Sequence, residues 1–120
     1  MEAGFGRFVA LSKPADFIGK AAAEKEKSEG GALRLKTFIL KARDADVIGD
    51  EPIYHNGAVC GWVTSGGYAH AYGLSVAVGY VPKEIADETQ GWSIELLGEL
   101  LPANLQAEPL FDADGARMRA

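Results

Sequence analysis

The sequence predicts a mainly β domain: an antiparallel six-stranded barrel, jelly-roll-like in outline, preceded by one α-helix. Three observations carry that expectation. Apolar residues recur at helical spacing before Gly30 and with a period of two after it. Short apolar runs then follow one another with glycine, asparagine or proline between them, the spacing of an antiparallel barrel or sandwich. One run, Leu74 to Tyr80, alternates large and small residues, as a strand in a tight barrel does. The expected division is a lead-in and helix over 1–31 and the barrel over 32–120, together one domain.

The lead-in, Glu2 to Leu11, is apolar and punctuated by glycine. Either Phe5, Phe8 and Leu11 dock onto the domain's own core, or another surface covers them. Both ends of the chain read as cuts in a longer protein, so the second reading predicts an exposed patch or a dimer contact through the lead-in. The helix is expected between Lys13 and Gly30. Pro14 suits a first helical position, and Asp16 puts a negative charge near the positive end of the dipole. Phe17 with Ala21, and Ile18 with Ala22, make a short apolar face. Lys20–Glu24 and Lys25–Glu29 are opposite charges at i,i+4 spacing on the wet side. Gly19 interrupts this pattern and is the alternative start, while Gly30-Gly31 suits the end.

In the first strand Leu33, Leu35, Thr37 and Ile39 alternate with Arg34 and Lys36, which predicts one buried face. Both faces turn apolar from Phe38 to Leu40. A polar loop runs from Ala42 to Glu51. Pro52–His55, Asn56-Gly57 and Ala58–Val63 form a hairpin signal, because Asn-Gly takes the positive φ angles of a two-residue turn. Leu74 to Tyr80 is the next strand, stopped by Pro82. Trp92–Leu97, a Gly98-Glu99 turn and Leu100–Leu105 make a second hairpin, with Pro102 confined to an edge or bulge.

Composition narrows the function classes. The 120 residues carry a formal net charge of −5, with Lys and Arg scattered. No electrostatic footprint for nucleic acid or an anionic membrane is present. No run approaches the ~20 apolar residues of a membrane span. Cys60 is the only cysteine, so an internal disulfide is impossible, which suits a reducing compartment. His55, His70 and Cys60 fall at no zinc spacing. Asp44, Asp46, Asp50 and Glu51, and Asp112-Ala113-Asp114-Gly115, lack the distal glutamate of a calcium loop and read as turn acids bonded to their own backbone. Cys60, mid-strand beside Val59 and Gly61, reads as a small hydrophobe. The most site-like stretch is Thr64-Ser65-Gly66-Gly67-Tyr68-Ala69-His70. Two glycines there suit a barrel corner or a close approach by a ligand or domain, with Ser65 and Tyr68 supplying hydroxyls.

Asp16-Phe17-Ile18-Gly19-Lys20-Ala21-Ala22 resembles a stretch of the glycine cleavage T-protein family. Gly61-Trp62-Val63-Thr64-Ser65-Gly66-Gly67-Tyr68 and Gly79-Tyr80-Val81-Pro82 resemble two further blocks of it, in the same order. Glu108-Pro109-Leu110-Phe111-Asp112 with Arg117-Met118-Arg119 is similar to the T-protein-like end of dimethylglycine and sarcosine dehydrogenases. The resemblance implies an accessory carboxy-terminal barrel packed against an upstream folate-binding domain of the same chain. It implies tetrahydrofolate in the parent protein, FAD in an upstream domain of the dehydrogenase form, and no cofactor held tightly by this segment. The family's catalytic aspartate belongs to the folate domain, so no catalytic residue is expected here. Arg117 and Arg119 are candidates for a folate-tail carboxylate, since a guanidinium fork suits it. Ser65 and Tyr68 are candidates for a folate or domain contact. The implied compartment is the cytoplasm, or the mitochondrial matrix in a eukaryote. The competing class is a free-standing binding or interaction module that keeps the barrel without catalysis.

Overall fold

A computed structural model describes residues 1–120. A short 3-10 helix over Phe5–Phe8 and α1 (Lys20–Glu29) precede six strands. These are β1 (Leu33–Leu40), β2 (Pro52–His55), β3 (Ala58–Ala69), β4 (Leu74–Pro82), β5 (Trp92–Leu96) and β6 (Glu99–Gln106). They close into an antiparallel barrel in the order β1-β4-β3-β2-β5-β6. β2, β3 and β4 form a meander, and the long Lys41–Glu51 connection brings β1 beside β4, a Greek-key arrangement. β1 also meets β6, through the pairs from Thr37–Gln106 to Leu40–Ala103, and so seals the barrel.

The turn chemistry explains the hairpins. Asn56 and Gly57 sit at φ 49° and 82°, the paired left-handed conformations of a type I′ turn. The second hairpin differs from the expected Gly98-Glu99 turn. Leu97 and Gly98 take φ 51° and 84°, and Glu99 already pairs with Leu96 as the first residue of β6. Two positive φ angles are needed at the tip, and the register supplies them at Leu97-Gly98. Pro102 lies on β6 just beyond the ladder with β1, where its missing N–H breaks no β1–β6 bond.

The inside of the barrel is the opposite of the expected one at β1. Phe38 and Leu40 are buried, whereas Leu33, Leu35, Thr37 and Ile39 lie half-buried on the outer face. Arg34 and Lys36 share the inward parity but lie at the lower end. There Arg34 donates to Gly31 O, and Lys36 Nζ reaches Asp87 at 2.7 Å. β4 likewise turns Ser75, Ala77 and Gly79 inward along most of its length, with Val81 inward at its end, and Leu74, Val76, Val78 and Tyr80 outward. Crowding is the reason: a Cβ on Gly61 would lie 2.1 Å from Tyr80 O, and one on Gly79 2.5 Å from Trp62 O. Phe38, Ile53, Val63, Val81 and Ile94 fill the centre. Two loops plug the ends, with Val47 of the β1–β2 connection at the upper end and Ala86 of the β4–β5 connection at the lower.

The helix is shorter than its sequence pattern. Gly19 sits at φ 89°, a left-handed residue that breaks the helical path, so Pro14 to Ile18 lie outside α1. What remains has only alanine as apolar residues and buries no side chain. Ile18 is fully exposed, so the expected apolar face does not form. Lys25–Glu29 pairs at 4.0 Å, but Lys20 bonds Lys13 O at 2.9 Å instead of meeting Glu24. The lead-in is held at Glu2, whose backbone carbonyl and carboxylate accept from Leu35 and Leu33 on the free edge of β1. Phe5 and Phe8 are 64% and 67% exposed, 6.1 Å apart, with Arg7 stacked 4.7 Å from the Phe8 ring. The radius of gyration, 16.7 Å, exceeds the about 14 Å of a compact domain this size. No helix is long and apolar enough to cross a membrane.

Candidate functional site

The stretch singled out in the sequence is the second half of β3 and the first residue after it. The register slips at Thr64, a bulge between Val63 and Ser65 that bends the strand and continues it to Ala69. Thr64 Oγ1 anchors the bulge by donating to Val78 O at 3.0 Å. Beneath it the β1–β2 connection crosses the barrel, and Val47 O lies 2.5 Å from where a Gly66 Cβ would be. Gly66 is therefore a corner glycine. Gly67 is different: nothing lies within 4 Å of its missing Cβ, and its φ is not left-handed.

Ser65 and Tyr68 border one groove, although Ser65 pairs with outward Val78 and Tyr68 with inward Ser75, so their side chains leave opposite faces of β3. With Gly67, Val76 and Val78 they line a shallow groove of about 340 Å³. Tyr68 stands edge-on to His70, 4.9 Å between centroids. The groove belongs to a wider surface made by cross-strand rows. Leu35, Tyr80 and Trp62 form one row, Thr37, Val78 and Ser65 the next, and Ile39, Val76 and Gly67 the third. No charge interrupts these nine positions, in a chain of which 24% is charged. Sequence reasoning missed this face. Its signal was present, because β1 and β4 each carry their large residues at alternate positions that share one side.

Arg117 and Arg119 lie elsewhere, on the tail that leaves β6 at the lower end. Asp112, at φ 45°, accepts from the Ala116 and Arg117 amides and winds the tail into a turn. Arg117 stacks 5.1 Å from the Phe111 ring, and Arg119 donates to Asp114 O. The four candidates thus form two places, an uncharged groove and a tail in which the two arginines stand among Glu108, Asp112 and Asp114.

Several other titratable groups are engaged in contacts within the barrel and its loops. Tyr54 Oη donates to Glu95 at 2.6 Å, and this bond, then burial and the nearby charge, push its pKa up. The hydrogen bond and charge of Lys36 hold Asp87 below the usual aspartate range. Burial raises the Cys60 thiol, which donates weakly to Ile53 O at 3.5 Å. His55 stacks 4.5 Å from Trp92 and bonds Gln90 O at 3.1 Å. Glu51 accepts from the Ile48 and Gly49 amides. The largest concavity, about 570 Å³ between Lys41, Arg43, Leu97 and Leu100, mixes both charges with exposed leucine. No three His, Cys, Asp or Glu side chains gather as a metal site would require.

Residues 34–112 match the family model described as the glycine cleavage T-protein C-terminal barrel domain. The chain belongs to that family. This T-protein barrel is 42% identical over 119 residues to the mitochondrial dimethylglycine dehydrogenase of Mus musculus, covering 99% of this chain and 14% of that protein. It is 36% identical over 110 residues to the aminomethyltransferase of Synechococcus sp. (strain CC9311), covering 92% of this chain and 30% of that one. Among solved structures, the glycine cleavage system aminomethyltransferase T from Bartonella henselae superposes with a TM-score of 0.71 at 24% identity, covering 81% of this chain and 27% of that chain. That likeness carries the fold. The T-protein barrel therefore spans a minor part of each of these relatives.

Proposed function

We propose that the chain is the accessory carboxy-terminal barrel of a folate-dependent one-carbon enzyme, of the dimethylglycine or sarcosine dehydrogenase kind or an aminomethyltransferase. The observation that carries this reading is the 42% identity along 99% of the chain to a protein of which the barrel is only 14%. In that reading the reacting groups belong to the rest of the polypeptide, which holds tetrahydrofolate and, in the dehydrogenase form, FAD. The barrel contributes a packing wall. Arg117 and Arg119 carry the chemistry that the carboxylates of a folate tail require. Ser65 and Tyr68, in an uncharged groove, suit a protein surface instead. The dehydrogenase relatives are named mitochondrial, which favours the matrix if the parent protein is eukaryotic.

Calorimetric titration with tetrahydrofolate tests the reading. The full-length parent protein is expected to bind, and the 120-residue chain alone to bind at least a hundredfold more weakly. Equal binding by the isolated chain would mark it as an independent ligand module and overturn the accessory role.

A further inference from the structure

Gly67 has no explanation inside its own chain. A glycine within a strand weakens it, and the usual reasons are a left-handed φ, a neighbour that leaves no room for a side chain, a bulge, or the close approach of something external. The first three are absent, since Gly67 has no positive φ, nothing within 4 Å of where a Cβ would stand, and a regular pairing with Val76 beyond the bulge. Gly61, Gly66 and Gly79 on the same two strands all have the second. The open position sits over a floor of Val76 and Val78, next to Ser65, with the Trp62–Tyr80 pair beyond it at 5.8 Å between centroids. A small ligand is poorly served by a groove without walls or charged groups, whereas a folded surface fits an uncharged sheet face.

The occupant follows from the relatives. Each contains this barrel together with most of its own chain, the barrel being 14% of the dehydrogenase and 27% of the solved aminomethyltransferase. A surface on the same polypeptide is met at high effective concentration, so it needs no strong charge complementarity to dock. We propose that the outer face of β3 and β4 is where the barrel docks onto the rest of its own polypeptide, with a backbone segment crossing β3 at Gly67. The partner's identity as the folate-binding part rests on the reading above; the location of the face does not.

The test is made on the full-length parent with Cys60→Ala as background. Ser65→Cys and Val59→Cys are compared, both being exposed positions of β3 in the barrel. Maleimide labelling is followed by peptide mass spectrometry. Ser65→Cys should label at least tenfold more slowly than Val59→Cys in the folded protein and equally fast in urea. That protection should survive hundredfold dilution, and Gly67→Arg should abolish it while Gly67→Ala keeps it. Equal folded-state rates at the two cysteines overturn the proposal. Protection that disappears on dilution assigns the face to a second copy and overturns it too. Tetrahydrofolate titration of the same samples separates the two readings. A parent that protects Ser65 without binding folate supports the docking face and removes the folate identity of the partner.

Discussion

Leu97 holds a backbone conformation that costs an L-residue about 1–2 kcal/mol, with its side chain 88% exposed and so without compensating burial. Leu97→Asn should therefore raise stability by about 1 kcal/mol, since asparagine tolerates this position of a type I′ turn. A urea midpoint that stays level or falls would refute the strain. The glycines offer a second comparison. Gly61→Ala drives a methyl into Tyr80 O and should destabilise by ~3 kcal/mol or more, whereas Gly67→Ala in the same 120-residue chain should stabilise by about 0.5 kcal/mol. Denaturant unfolding of both variants measures this, and a destabilising Gly67→Ala would reveal an internal role for Gly67. Asn56-Gly57 was legible in the sequence because its turn needs what those residues do well. Leu97 was not, because nothing in a leucine announces a left-handed φ.

At the scale of elements, the Lys36–Asp87 pair ties β1 to the loop that plugs the lower end. Asp87 titrates lower in the folded chain than its ordinary 3.8, so its contribution is complete above that value and disappears as pH falls through the folded one. Asp87→Asn should slightly flatten the acid limb of the stability–pH curve by lowering stability at neutral pH while leaving stability below the folded pKa nearly unchanged. The change is small because Asp87 is solvated. Chemical denaturation at a series of pH values gives the answer, and an acid limb of unchanged slope would remove the pair from the account. The strands themselves were legible from periodicity, with β2 and β4 within two residues of expectation. The faces were not. Leu33, Leu35 and Ile39 read as buried because the alternation tells which residues share a side, and it cannot tell which side the barrel closes around. α1 came out short for a related reason: Gly19 outweighs the apolar spacing of Phe17 and Ile18, of which Phe17 sits beside Phe8 and Val9 of the lead-in and Ile18 is fully exposed.

For the whole molecule, periodicity led to a closed six-stranded barrel, and the T-protein motifs led to its family. The family model covers residues 34–112, so the motif around Gly19 lies outside it while the two barrel motifs lie within. The candidate site was only half legible. The Thr64–His70 stretch identified the groove strand, but the groove's floor comes from Val76 and Val78, which alternation alone places on neither side. Arg117 and Arg119 were chosen for their chemistry, and the fold leaves them on a separate tail. The docking and folate predictions belong to this scale, because each compares the barrel alone with the barrel in its full polypeptide.

The seam between β1 and β6 has a kinetic consequence. The barrel's first strand to leave the ribosome is zipped to its last, through four residue pairs separated by more than sixty residues of chain. During synthesis β1 acquires β4 on one side early, yet its other edge stays open until β6 emerges, with Glu2 bonded only to its opening residues. An open edge of that kind recruits foreign strands, and contacts so distant in sequence form slowly. Nascent chains stalled before Ala103 should consequently be the aggregation-prone species, and release of a few further residues should end the hazard.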